Sequence, residues 1–452
     1  MPELRFPNLY IVLFAVFAIA VTSMPCHSDA AQPESAAARD ARLKWWRQAR
    51  FGMFIHWDMS SLAGTEISWS RKGSKPLDIF NDPAGYVEDP VYDHLYERFN
   101  PTKFDAKQWV KLAKDAGMKY IVFTAKHHGG FCMWDTKLTN YSIMSTAFHR
   151  DVVKELSDAC HEAGMPFGLY YSPRDWHHPD YGIGDDSKYL DYMTGQLKEL
   201  LTNYGKIDCV WFDSFGHGDS ISYWHADKVL ALVRELQPQA VINNRCNSFA
   251  NSVPELSGDF DTPEQRIGSY QIDRPWESCM CVVDAPNGGW SYRTDGHVKP
   301  LDNCIRTLQG CATGDGNLLL DVGPDPTGII PQDQADRLIE VGAWLKKFGR
   351  SIYKTQGGPF ANGEWGGSTF AGNRLYLHLF QPEKGALLLP ALNAKLLHAA
   401  SLSGGTVKCE LKDNRISISL IGYKSALDAV VELTFDRPLS RAAGKAAFDT
   451  TP

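Results

Sequence analysis

The chain has 452 residues, 44% hydrophobic and 22% charged, with a formal charge of −7. That length exceeds one ordinary domain, and that composition belongs to a folded globular protein, neither disordered nor fibrous. A mildly acidic balance leaves no basic footprint for nucleic acid or for an anionic membrane surface.

At the N-terminus, Arg5 precedes an apolar run from Leu9 to Met24, with small residues at Ser28 and Ala30. This reads as a secretory signal over residues 1–30, followed by a flexible leader over 31–42. The run is short for a membrane span, so no stable insertion of the mature chain is expected. The destination implied is the periplasm, the extracellular space or a lysosome-like compartment. Of ten cysteines, several lie inside apolar segments and none forms a C-x-x-C pair. Buried free thiols are expected, with a bridge or two at most.

From residue 50 to 350, short apolar runs alternate with amphipathic stretches. Strands are expected at 51–57, 120–127, 167–172, 208–213, 240–245, 258–262, 276–283 and 317–323. Helices are expected at 105–116, 151–163, 187–203, 222–236 and 332–348; the first three each have a glycine just beyond the last periodic residue. Eight strands alternating with helices predict a (β/α)₈ barrel over 43–353, irregular between the fifth and seventh strands, where helix signal is weak. Residues 354–452 change texture to short strand-like runs such as "RISISLI", which predicts a C-terminal β-sandwich.

Barrel chemistry sits at the C-terminal ends of the strands. Those ends carry His56-Trp57, His127-His128, Tyr170-Tyr171, Asp213, Asn244-Arg245, and Glu264 beyond Asp259 and Asp261. Polar groups at the ends of six consecutive strands point to an active site on one rim. Adjacent residues of an extended strand face opposite ways, so His127 and His128 are not expected to chelate one ion. No G-x-S-x-G elbow supports a serine nucleophile. A carboxylate pair among hydrogen-bonding and aromatic residues is the inventory of glycoside hydrolysis. Asp213, closing the apolar run "CVWFD", is the nucleophile candidate. For the acid/base, Glu66, Glu255, Asp261, Glu264 and Glu277 compete; Glu277, at a strand start, is expected to be structural, and Glu264 sits in a loop that could reach over the cleft.

"RFGMFIHW", "KYIVFTAKHHGGFCMWDTKLTNYS", "GDFDTPEQ" and "NLLLDVGPDPTGIIP" closely resemble the α-L-fucosidases of glycoside hydrolase family 29, with family-like order and spacing from about residue 44 to 355. The resemblance implies an exo-acting, retaining hydrolase of fucosylated glycans or polysaccharides, with no cofactor and no metal. It assigns Asp213 as nucleophile and Glu264 as acid/base. It puts sugar-binding positions on His56, His127, His128, Tyr171, Trp211 and Arg245, with Glu66, Trp69 and Trp290 as further pocket contacts. Asp58 and Ser214 depart from the glycine common at their positions, and "GGWSY" around Trp290 departs from a Trp-Gly-Tyr. An α-L-galactosidase with a related pocket and a non-catalytic fucose-binding protein are the alternatives. The oligomeric state is not legible.

Overall fold

The structure, a computed structural model, describes residues 34–72, 87–181, 187–213, 225–246, 258–271, 273–286, 288–412, 415–425, 427 and 429–441. The signal segment expected at 1–30, Ser214 and Glu255 lie outside the described residues.

The chain enters through helix α1, Ala36–Ala49. Much of the leader expected over 31–42 is therefore helical. Its alanines are the best helix formers, and Leu43, Trp46 and Ala49 give one stripe to bury. Strand β1 (Phe51–Ile55) follows, then the short helix α2 (Asp89–Asp93) and helix α3 (Ala106–Asp115). Next come β2 (Ile121–Lys126), α4 (Val152–Ala163), β3 (Phe167–Tyr171), α5 (Ser187–Asn203), β4 (Cys209–Phe212), α6 (Ala226–Leu236) and β5 (Val241–Ile242). Then come β6 (Glu277–Cys281), a small hairpin of β7 (Val283–Asp284) and β8 (His297–Val298), α7 (Leu301–Thr313), β9 (Asn317–Val322) and α8 (Gln332–Phe348).

The helix ends obey local chemistry. Asp105 and Asp151 cap α3 and α4 by accepting from backbone N–H groups of their first turns, and Gly164 ends α4 at φ 63°. Helix α7 was not among the helices expected, although Leu301, Cys304, Ile305, Leu308, Cys311 and Ala312 recur at helical spacing; nearly every residue from Cys304 to Thr313 is buried.

The strands form one parallel sheet in the order β5-β4-β3-β2-β1-β9-β6. Strands β1 to β4 and β9 are buried at every position, which is why they read as unbroken apolar runs. Between β5 and β6 the ring is completed by single bridges, Asn243 to Phe260 and Asp261 to Trp276. The chain there reads Asp259-Phe-Asp-Thr-Pro, whose two aspartates and proline disfavour a continuous strand, so a few backbone bonds are supplemented by side chains. Asp259 accepts from Arg42, Arg234 and the Ile242 N–H at 2.7–2.9 Å. This is the irregular (β/α)₈-type barrel expected.

Beyond α8, two antiparallel sheets form the expected sandwich. One orders β10 (Gln356–Gly357), β11 (Gly366–Ala371), β12 (Arg374–Leu379), β17 (Val430–Phe435) and β14 (Leu396–Ser401). The other orders β13 (Leu387–Pro390), β16 (Arg415–Ile421) and β15 (Thr406–Lys412). In β16 the residues Ile416, Ile418 and Leu420 alternate inward, the period of a half-buried strand. Nine cysteines among the described residues are free thiols, eight of them buried.

Candidate active site

The C-terminal ends of the barrel strands bring most of the expected side chains to one rim. After β1, His56 is buried and its Nδ1 hydrogen bonds Asp321 Oδ1 on β9 at 2.7 Å. With Nδ1–H donating to the carboxylate, Nε2 is left for the pocket. Burial, helped by His127 and Arg245, holds this imidazole well below its usual pKa. Burial also lifts the Asp321 carboxyl, with Glu66 adding to the effect. The other Asp321 oxygen has no hydrogen-bond partner.

Strand β2 ends at Lys126, and the chain turns at once, the Gly130 N–H donating to the His127 carbonyl at 3.0 Å. The alternation expected of His127 and His128 therefore does not apply. Their rings lie 4.1 Å apart on the same side of the chain. His127 Nδ1 bonds Ser68 Oγ at 2.8 Å, and His128 Nδ1 bonds Ser172 Oγ at 2.6 Å. Burial drives the His127 pKa down to about 3 and lowers that of His128 as well. His128 Nε2 sits 3.7 Å from Asp213 Oδ2. Ligand atoms of His127, His128 and Asp213 lie within 4.8 Å of one another, a spacing open to a cation. Two neutral imidazoles beside a carboxylate suit the hydroxyls of a sugar equally well.

At the end of β3 the two tyrosines divide. Tyr171 turns outward, its hydroxyl donating to Gln196 Oε1 on α5 at 2.8 Å. Tyr170 faces the rim: its hydroxyl donates to Asp213 Oδ2 at 3.0 Å, and its ring stacks on His127 and Trp211. Tyr170 thus takes the place at the site expected of Tyr171, because neighbouring residues of a strand alternate faces. The signal was present in the register, since Tyr170 pairs with Trp211 across β3 and β4.

Trp211 donates its indole N–H to Glu277 Oε1 at 3.2 Å, and the Arg245 guanidinium lies 4.7 Å above its ring. Glu277 also accepts from Trp46 Nε1 and the Tyr120 hydroxyl. It is fully buried at the start of β6 and pushed by burial up to about 7, in keeping with the structural role expected.

Arg245, on a 3-10 turn after β5, organises the carboxylates. Its Nε and Nη2 donate to Thr262 Oγ1 and O at 2.7 and 3.0 Å. Its Nη1 lies 3.2 Å from Asp213 Oδ1 and 2.9 Å from Glu264 Oε2. Burial opposes its charge, but Asp213 and Glu264 raise its pKa further. The Asp213 side chain is 14% exposed and that of Glu264 40%. Two oxygens on one nitrogen at these lengths are at most about 6 Å apart. That admits the ~5–5.5 Å carboxyl pair of a retaining glycosidase.

The remaining candidates line the approach. Glu66 is buried and accepts from the backbone N–H groups of Ile67, Trp290 and Ser291 at 3.2–3.3 Å, tying two loops together. Burial lifts its pKa to about 7 against the pull of Arg293. Trp290 thereby lies 5.0 Å from the His56 ring. Trp69 meets His128 edge-on at 5.4 Å and Trp176 at 5.1 Å. Asp58 accepts from the Ser60 N–H as the cap of a 3-10 turn, burial raising its pKa to about 6. Sequence reasoning missed Asp321, Ser68, Ser172 and Trp176, which act on the expected residues without belonging to a recognisable motif.

Residues 19–350 match the family model described as Alpha-L-fucosidase. The plasma alpha-L-fucosidase of Homo sapiens is 30% identical over 353 residues, covering 73% of this chain and 74% of that one. The plasma enzyme of Rattus norvegicus is 31% identical over 333 residues, covering 69% and 70%. The solved structure of alpha-L-fucosidase isoenzyme 1 from Paenibacillus thiaminolyticus superposes with a TM-score of 0.78 at 35% identity, covering 88% of this chain and 99% of that one. A family 29 alpha-L-fucosidase from Bacteroides thetaiotaomicron, trapped as a covalent intermediate with 2-fluoro-fucosyl fluoride, superposes with a TM-score of 0.76 at 26% identity, covering 88% and 96%. Barrel, sandwich and paired carboxylates converge with these likenesses, and the chain belongs to the alpha-L-fucosidase family, glycoside hydrolase family 29.

Proposed function

We propose that this enzyme removes terminal α-L-fucosyl residues from fucosylated glycans or polysaccharides with retention of configuration. Asp213 serves as the nucleophile and Glu264 as the acid/base. The observation that carries the reading is the single Arg245 nitrogen holding both carboxylates. Tyr170 and Arg245 fix the two oxygens of Asp213 so that the carboxylate is aimed before substrate arrives. Glu264 gives its proton to the glycosidic oxygen as an Asp213 oxygen bonds to the anomeric carbon and the aglycone leaves. Water then attacks that carbon, Glu264 takes its proton, and the Asp213 ester breaks to release fucose. His56, His127 and His128, neutral and partnered at Nδ1, offer their Nε2 sides to ring hydroxyls. The aromatic wall of Trp290 and Phe54 beside His56 suits the methyl corner of a 6-deoxy sugar.

Neither the α-L-galactosidase nor the non-catalytic alternative is favoured by the family or by this carboxylate pair. Proton NMR of an aryl α-L-fucoside digest tests the reading. α-Fucose formed first supports it, and β-fucose formed first rejects the assigned pair. Export is proposed from the apolar run Leu9 to Met24 alone. Among the described residues no helix is long and apolar enough to cross a membrane. N-terminal sequencing of the mature protein tests that part, an intact Met1 being the contrary result.

A further inference from the structure

The loop after β3 carries two buried donors that no atom of the described residues answers. Arg174 is 5% exposed, its Nε has no hydrogen-bond partner, and no carboxylate among the described residues pairs with it. Two residues on, the Trp176 indole N–H is also buried and without a partner. A guanidinium withdrawn from water without a counter-ion is costly, so its retention calls for an explanation.

The backbone around these groups is fixed. The Arg174 N–H donates to Ser172 Oγ at 3.0 Å, and the Trp176 N–H donates to the His128 carbonyl at 2.8 Å. Between them Asp175 forms a buried ion pair with Lys126 at 3.1 Å. Gly130 passes so close that an added Cβ would fall 2.1 Å from Asp175 Oδ1. The side chains are therefore presented by a rigid strap, and they face the site. The Trp176 ring lies 5.1 Å from those of both His128 and Trp69. Beyond the effect of burial, the Arg174 charge acts on His127, His128 and Tyr170, the wall beside the nucleophile.

The proposed chemistry does not need this second cation. Arg245 already serves both carboxylates, and a neutral fucoside brings no charge for Arg174 to meet. A planar guanidinium at a largely buried position, with Nε unanswered, is matched by an oxyanion. We propose that Arg174 and the Trp176 N–H receive an anionic substituent of the substrate, a sulfate ester or carboxylate carried on the fucosyl ring or on the sugar next to it. The inference rests on the fucosidase reading and narrows its substrate to acidic glycans or polysaccharides.

The test compares kcat/KM for three substrates: a neutral aryl α-L-fucoside, its ring-sulfated forms, and an aryl fucoside with a carboxylate on the aglycone. At least one anionic substrate is expected to exceed the neutral one by about tenfold or more. A sulfated ring as winner puts the anion on fucose, and a charged aglycone as winner puts it on the neighbouring sugar. The advantage should vanish in Arg174→Gln and return in part in Arg174→Lys. Thermal midpoints of the three proteins separate a lost site from a lost fold. Turnover of the neutral substrate with no anionic preference, or a preference that survives Arg174→Gln, overturns this inference and leaves the fucosidase reading standing. No turnover of any fucoside overturns both.

Discussion

Replacing Asp321 tests whether His56 acts through a fixed tautomer. The carboxylate is fully buried, bonds His56 Nδ1 at 2.7 Å with one oxygen, and leaves the other without a partner. In Asp321→Ala the buried Nδ1–H loses its acceptor. Leaving such a group unmet costs about 1–3 kcal/mol. If that cost falls on the aligned form of the ring, kcat/KM drops by about 10- to 100-fold, at about 1.4 kcal/mol per decade. Asp321→Asn keeps a partner for Nδ1, and its amide nitrogen can occupy the unpartnered side, so the loss should stay within about fivefold. The assay is kcat/KM on an aryl α-L-fucoside, with thermal midpoints to separate unfolding and ring-nitrogen NMR to read the tautomer. Equal losses in the two variants, or no loss in Asp321→Ala, would refute the reasoning.

Asp213→Ala should lower turnover by several orders of magnitude, measured on any fucoside. Glu264→Ala should lose much less on substrates with good leaving groups than on natural linkages, because those leaving groups need little protonation; equal losses would make Glu264 the wrong acid. Tyr170→Phe removes a hydrogen bond to a charged oxygen and should cost about 10- to 100-fold in kcat/KM, whereas Tyr171→Phe should cost about 1 kcal/mol of stability in a urea titration and little rate. The reverse order would return the site role to Tyr171. Burial raises the Asp259 carboxyl, but Arg42 and Arg234 outweigh it and hold the pKa at about 2, below its ordinary 3.8. A depressed carboxyl stabilises the fold above its unfolded pKa and loses that contribution as pH falls through the folded value. Asp259→Asn should therefore cost about 2 kcal/mol at neutral pH, with the gap to the parent protein closing between pH ~4 and ~2. A gap independent of pH would mean that packing, not charge, holds that side of the barrel.

The parts of the fold legible in the sequence were those written in one continuous pattern. Runs such as Phe51–Ile55 and Asn317–Val322 are buried on both faces and stand out as apolar blocks, and Gly164 marks a helix end by the backbone angle it adopts. What escaped notice depends on partners distant in the chain. Helix α7 is covered on several sides by neighbours, and Ala36–Ala49 buries Leu43, Trp46 and Ala49. Asp213, Arg245 and the histidines come together at one rim because strand ends collect polar groups. Which of Tyr170 and Tyr171 faces the rim turns on register, which only the paired strands supply. The His-His pair escapes alternation because the strand ends at Lys126, one residue before it.

The nitrogen shared by Asp213 and Glu264 has a consequence for the whole catalytic cycle. In the proposed cycle, before reaction, with Glu264 as the protonated acid, Arg245 neighbours the anion of Asp213. Once Asp213 is esterified by the sugar its charge is gone, but Glu264 has surrendered its proton and become the anion. Hydrolysis reverses both changes. Throughout, one fixed cation faces one negative charge, which merely hops from one side of the guanidinium to the other. The protein therefore has no need to rearrange around the intermediate, and the two half-reactions can run through the same static field.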